Sequence, residues 1–247
     1  MTRPMRTLAL LIALAAAPSV AHAGDIASLQ PIGFSSDGKV FAFEEYGIQD
    51  GSGFGYSNIY VLDTVEDRFM PGAPVRIVIQ EEGERGLNRA RREARRAAAP
   101  IIDAYRLPDH PGRLLAFNPE TEVDSAPHAL AYDMFPSEGP SGRSTRLALE
   151  EKTFPADGPC KDVVESVRGF RLVMTEREGK AAGLVIADDT RVPASRQCPT
   201  GYRIGGVMAF DDDTGMTTQV VFVLVKSVGF EGSNGRWIAL PVPATPR

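Results

Sequence analysis

The run QVVFVLVKSV, residues 219–228, constrains the fold more than any other stretch of the chain. It has the length of a strand and is dense in β-branched residues, and its segment VVFVLV is apolar on both faces. Such a strand needs cover on both sides, so it belongs at the centre of a sheet structure. Lys226 and the short length exclude a membrane span, which needs roughly 20 apolar residues. Alternation and β-branched enrichment mark further strands over 40–45, 58–63, 75–80, 113–117, 128–133, 143–154, 169–176, 181–188, 202–211 and 236–242, about eleven in all. Between them, 24 Gly and 19 Pro punctuate the chain as turns punctuate a sheet protein. Asp37-Gly38 and Asn234-Gly235 are the dipeptides that tight hairpins favour.

One segment breaks the pattern. ERGLNRARREARRAAAP, residues 84–100, has no β-branched residue and is built from strong helix formers, with Pro100 expected to end or kink it. At about 100° per residue, Leu87, Ala90, Ala94, Ala97, Ala98 and Ile101 share one face, and Arg85, Arg89, Arg92 and Arg96 form a stripe opposite. The alanine face should dock on a sheet with the arginines outward. Glu81, Glu82 and Glu84 near the start and arginines near the end suit the helix dipole. The expected fold class is therefore mainly β, with antiparallel sheets arranged as a sandwich or a partly open barrel and one prominent helix.

The first residues carry Arg3 and Arg6, an apolar run over 8–17 and the small-x-small triplet Ala21-His22-Ala23. This is the pattern of a secretory signal peptide, residues 1–23, cut between Ala23 and Gly24. Residues 24–247 form the exported β-rich part, periplasmic or secreted, with a division near 100–112 left open. The net charge of −5 becomes −7 when Arg3 and Arg6 leave with the signal. Acidity and export both argue against nucleic acid as a partner. In an oxidising compartment the pair Cys160 and Cys198 reads as a disulfide.

GFSSDGKVFAF, residues 33–43, resembles the TolB-type propeller repeat, and GFEGSNGRWIAL, residues 229–240, echoes it. Closure of a propeller needs at least four blades of four strands, so the phrase reads as a hairpin used twice. On the wider segment GFSSDGKVFAFEEYGIQDGSGFGYSNIYVLD, together with residues 229–240, the chain resembles a family of predicted secreted bacterial proteins catalogued as a domain of unknown function. That resemblance implies an exported β-rich protein and adds nothing on mechanism.

Few residues point to chemistry. His110 and His128 have no G-x-S-x-G elbow and no ordered partners for a Ser/His/Asp site. FDDDTG, residues 210–215, gathers carboxylates but lacks the Gly and Glu positions of an EF-hand loop, which leaves an acidic hairpin turn. The glycine-rich segment 46–58, with Tyr46, Asp50, Phe54, Tyr56 and Asn58, is the candidate ligand loop, because loops on a rigid sheet commonly carry function. No catalytic residue, cofactor or metal is expected. The leading expectation is a non-catalytic binding or interaction module of the cell envelope. Its partner would be an anionic envelope component, met by the stripe Arg85, Arg89, Arg92 and Arg96, or another envelope protein. The alternatives are a hydrolase assembled from dispersed residues such as Asp109, His110 and His128, and a purely structural envelope component.

Overall fold

A computed structural model describes residues 24–136 and 142–243. The signal peptide expected over 1–23 lies outside them. In chain order the strands are β1 (Ser28–Phe34), β2 (Val40–Ile48), β3 (Phe54–Asp63), β4 (Arg68–Phe69) and β5 (Val75–Glu82), followed by the helix α1 (Gly83–Ala104). Then come β6 (Arg113–Phe117), β7 (Ala129–Tyr132), β8 (Thr145–Pro155), β9 (Ser166–Arg177), β10 (Lys180–Asp188), β11 (Pro199–Asp211), β12 (Thr217–Val228) and β13 (Ser233–Pro241). They make three antiparallel sheets, none closed into a barrel: a front sheet of β1–β5, a middle sheet in the order β13-β12-β11-β6, and a back sheet in the order β10-β9-β8-β7.

The layering follows from β12. Its residues Val221, Val223 and Val225 pack with Leu147, Leu149, Phe170, Leu172 and Met174 of the back sheet. The alternate residues Val220, Phe222 and Leu224 pack with Phe34, Phe41 and Phe43 of the front sheet. A strand covered on both faces cannot afford a polar side, which is why VVFVLV has none. On the far side of the front sheet, Val40, Ala42, Ile59 and Val61 meet Ala94, Ala98 and Ile102 of α1. The stack is thus back sheet, middle sheet, front sheet, helix.

Several expectations change in detail. β1 escapes the alternation reading because Pro31 lies inside it, and β1 is an edge strand of its sheet, where a missing N–H is tolerated. Asn234 and Gly235 lie within β13, and the turn is closed one step earlier by Gly229 N–H to Gly232 O at 2.8 Å. Gly235 serves close approach instead: residues 25–27 run alongside it, and a Cβ there would stand 2.8 Å from Ile26 Cδ1. α1 runs through Pro100 to Ala104, because Ala98 and Ile102 on either side of it are both buried against the front sheet. The arginines therefore lie between the first turn, which holds Arg85, and the middle of the helix, and the last turn holds no basic residue to complement the dipole. The buried row is Gly86, Ala90, Ala94, Ala98 and Ile102, with Leu87 and Ile101 at its margins and Ala97 exposed.

Candidate anion-binding face on the helix

Along β2 the period of two sends Val40, Ala42 and Glu44 toward α1 and Phe41, Phe43 and Glu45 into the space between the front and middle sheets. Glu44 is 1 % exposed. Its Oε1 accepts from Arg91 Nε at 2.8 Å and from Ser57 Oγ at 3.0 Å, and its Oε2 accepts from Arg91 Nη2 at 3.0 Å and Arg95 Nη2 at 2.8 Å. Burial alone would raise the Glu44 pKa, but the hydrogen bonds from Arg91 and Arg95 outweigh it and hold the carboxyl below its ordinary value. Arg91 is also stacked on Tyr46, its guanidinium 3.5 Å from the ring centroid. Gly55 lets α1 lie this close, since a Cβ there would be 2.1 Å from the Leu87 nitrogen. One buried carboxylate thus pins α1 to the sheet through two arginines that the sequence reading passed over.

The stripe stands outward on this pinned helix: Arg85, Arg89, Arg92 and Arg96 are all exposed. Arg85 pairs with Glu81 at 3.4 Å and Arg89 with Glu93 at 2.8 Å. Arg92 and Arg96, one turn apart, form no ion pair with any carboxylate among the described residues. Six arginines fall within 85–96 of a chain whose net charge is −5, so positive charge is concentrated on one ridge. Beside that ridge, between α1 and β1, runs a groove of about 500 Å³ with Ile32, Ala99 and Ile102 in its lining and Arg95 and Asp103 at its rim.

The candidate ligand loop is mostly strand. Only residues 49–53 turn, closed by Gln49 N–H to Phe54 O at 2.9 Å. Tyr46 supports Arg91, and Phe54 is half-buried at the start of β3. Asp50 Oδ2 accepts from the Glu231 N–H at 2.7 Å, which ties the β2–β3 turn to the β12–β13 turn. Tyr56 is buried, donates to Asp25 Oδ1 at 2.7 Å and lies under Arg236, which also pairs with Asp25. Asn58 donates to Glu45 Oε1 at 2.9 Å. Glu45 further accepts from the Tyr60 hydroxyl at 2.8 Å and the Trp237 N–H at 2.7 Å, and its burial still raises its pKa. Sequence reasoning missed Asp25, Glu44 and Glu45. A strict period-two reading of β2 would have found the two glutamates on opposite buried faces.

A larger cleft, about 620 Å³, opens between the β1–β2 turn and the end of α1, lined by Ser36, Asp37, Lys39, Tyr105, Arg106 and His110. Both of its cations are answered, Lys39 by Asp37 at 3.1 Å and Arg106 by Asp109 at 2.7 Å, while Asp63 and Glu66 add negative charge to its lining. The ridge, with unanswered charge, is the better candidate. His110 packs on Phe210, whereas His128 Nε2 lies 3.1 Å from Tyr202 O and 3.3 Å from Glu151 Oε1. Tyr202 and Phe210 are eight residues apart on β11, about 26 Å at roughly 3.3 Å per residue, so the two histidines do not share a site. In the acidic turn, Asp212 Oδ1 accepts from the Thr214 and Met216 N–H groups, each at 2.9 Å, and Asp211 pairs with Arg113. Cys160 and Cys198 lie at disulfide distance, Cα–Cα 5.4 Å, and bracket β9 and β10.

Fold and face together define a mainly β, helix-covered protein with an arginine ridge; no helix among the described residues is long and apolar enough to cross a membrane. The family model described as Predicted secreted protein (DUF2259) matches residues 42–243, and the chain belongs to that family of unknown function. No curated protein and no solved structure matches the chain significantly.

Proposed function

We propose that the protein is an exported, non-catalytic interaction module of the cell envelope, periplasmic or secreted after cleavage between Ala23 and Gly24. Its working surface is the arginine ridge of α1, which meets an anionic envelope component. The observation that carries this reading is the pair Arg92 and Arg96, exposed and without an ion pair among the described residues, on a helix whose own anchoring uses Arg91 and Arg95. Guanidinium forks recognise carboxylate and phosphate in two-point geometry, and exposed ion pairs of this kind weaken with salt. Replacing Arg85, Arg89, Arg92 and Arg96 together by glutamine should abolish salt-sensitive retention on isolated envelope material without lowering the melting temperature. Unchanged retention would remove the ridge from the interaction.

A further inference from the structure

The groove beside the ridge distinguishes among anionic partners. On the helix, Arg92, Arg95, Ala99 and Ile102 follow one another at spacings of three and four residues, so they share one side of α1. That side faces β1, where Ile32 and Pro31 complete an apolar wall. From Arg95 to Ile102 the trough extends along about 10 Å of helix, at roughly 1.5 Å per residue. Its volume, about 500 Å³, falls within the range of small-molecule pockets. Arg95 guards one end with its side chain 56 % exposed. Glu44 takes its Nε and Nη2, while Nη1 makes no hydrogen bond among the described residues. Asp103, exposed at the opposite rim, repels an anion from that end.

An acidic glycan or an acidic protein surface would use the charges and leave an apolar trough empty of purpose. A molecule with an anionic head and an apolar tail uses both. We propose that this groove seats the acyl tail of one anionic lipid of the bilayer, whose headgroup rests on Arg92 and Arg95 while neighbouring headgroups meet Arg89 and Arg96. The proposal rests on the reading of α1 as an anion-binding face and narrows its partner to a lipid surface.

Dodecyl phosphate below its critical micelle concentration, compared with inorganic phosphate, tests the seat on the unaltered protein. The single-chain amphiphile should bind at least tenfold more tightly and should shift the methyl resonances of Ile32 and Ile102. Equal affinity, or shifts confined to other methyls, would overturn the proposal. A second arm uses Ala99→Leu, which fills the trough and leaves every arginine in place. It should lose at least tenfold in affinity for phosphatidylglycerol vesicles while keeping wild-type affinity for soluble polyglutamate. Undiminished vesicle binding by this variant would again refute the seat. Polyglutamate binding by a wild-type protein that ignores dodecyl phosphate would leave the anion-binding face standing without the lipid, and binding to neither polyglutamate nor phosphatidylglycerol vesicles would remove both readings.

Discussion

Glu44 and Glu45 are neighbours on β2 with opposite consequences for stability, because each faces a different layer. The Glu44 pKa is lowered in the folded protein, so the carboxylate contributes stability that is complete above the ordinary value of 4.5 and is lost as pH falls through the lower folded value. Glu44→Gln should destabilise by about 1.5–3 kcal/mol at neutral pH, the scale of hydrogen bonds to a charged group. It should also flatten the acid limb of a stability-against-pH curve, and a variant with the wild-type acid limb would show that Arg91 and Arg95 do not depend on this anchor. The Glu45 pKa is raised, chiefly by burial, so its contribution is complete below 4.5 and declines as pH rises through the folded value. Glu45→Gln should remove that decline, which urea melts at several pH values would reveal. At this scale the sequence was least legible. Tyr56 and Asn58 look like ligand groups in a glycine-rich stretch, yet their polar atoms answer Asp25 and Glu45, partners that only the third dimension brings near.

The elements were more legible, since period and propensity act over many residues at once. β12 declared its central place through two apolar faces, and α1 declared its docking face through Ala90, Ala94 and Ala98. Pro100 misled: it removes one N–H, yet the burial of Ala98 and Ile102 on either side holds the helix together through it. Pro100→Ala should therefore stabilise the protein by about 2 kcal/mol, from a helix penalty of roughly 3 less about 1 for the freer unfolded chain. A thermal melt with no upward shift would mean that the helix has relaxed fully around the proline. Gly55→Ala tests the approach of α1 to β3. The new methyl would meet the backbone of Leu87, which cannot swing aside, so a loss of about 1–3 kcal/mol is expected, and a neutral effect would show that the helix can lift at this end.

For the whole molecule, the signal pattern pointed to export, and family membership agrees with a secreted protein. The layer count could not be read, because a sequence shows which faces are apolar and not which sheet covers them. Cys160 and Cys198 enclose β9 and β10 across a separation of 38 residues, a loop whose closure stabilises by about 4 kcal/mol on the chain-entropy model. Mass spectrometry of unreduced exported protein should find no alkylatable thiol, and two alkylated cysteines in folded protein would refute the bond. Charge is clustered at this scale too: an acidic chain gathers six arginines within residues 85–96, and along the outer stripe the first two are already neutralised by Glu81 and Glu93. The most direct measurement compares two double variants for binding to phosphatidylglycerol vesicles across a salt series. Arg92→Gln with Arg96→Gln should remove most of the salt-sensitive affinity, and Arg85→Gln with Arg89→Gln only a small part. Equal effects of the two pairs, or affinity that neither pair changes, would contradict a binding face centred on the unpaired arginines.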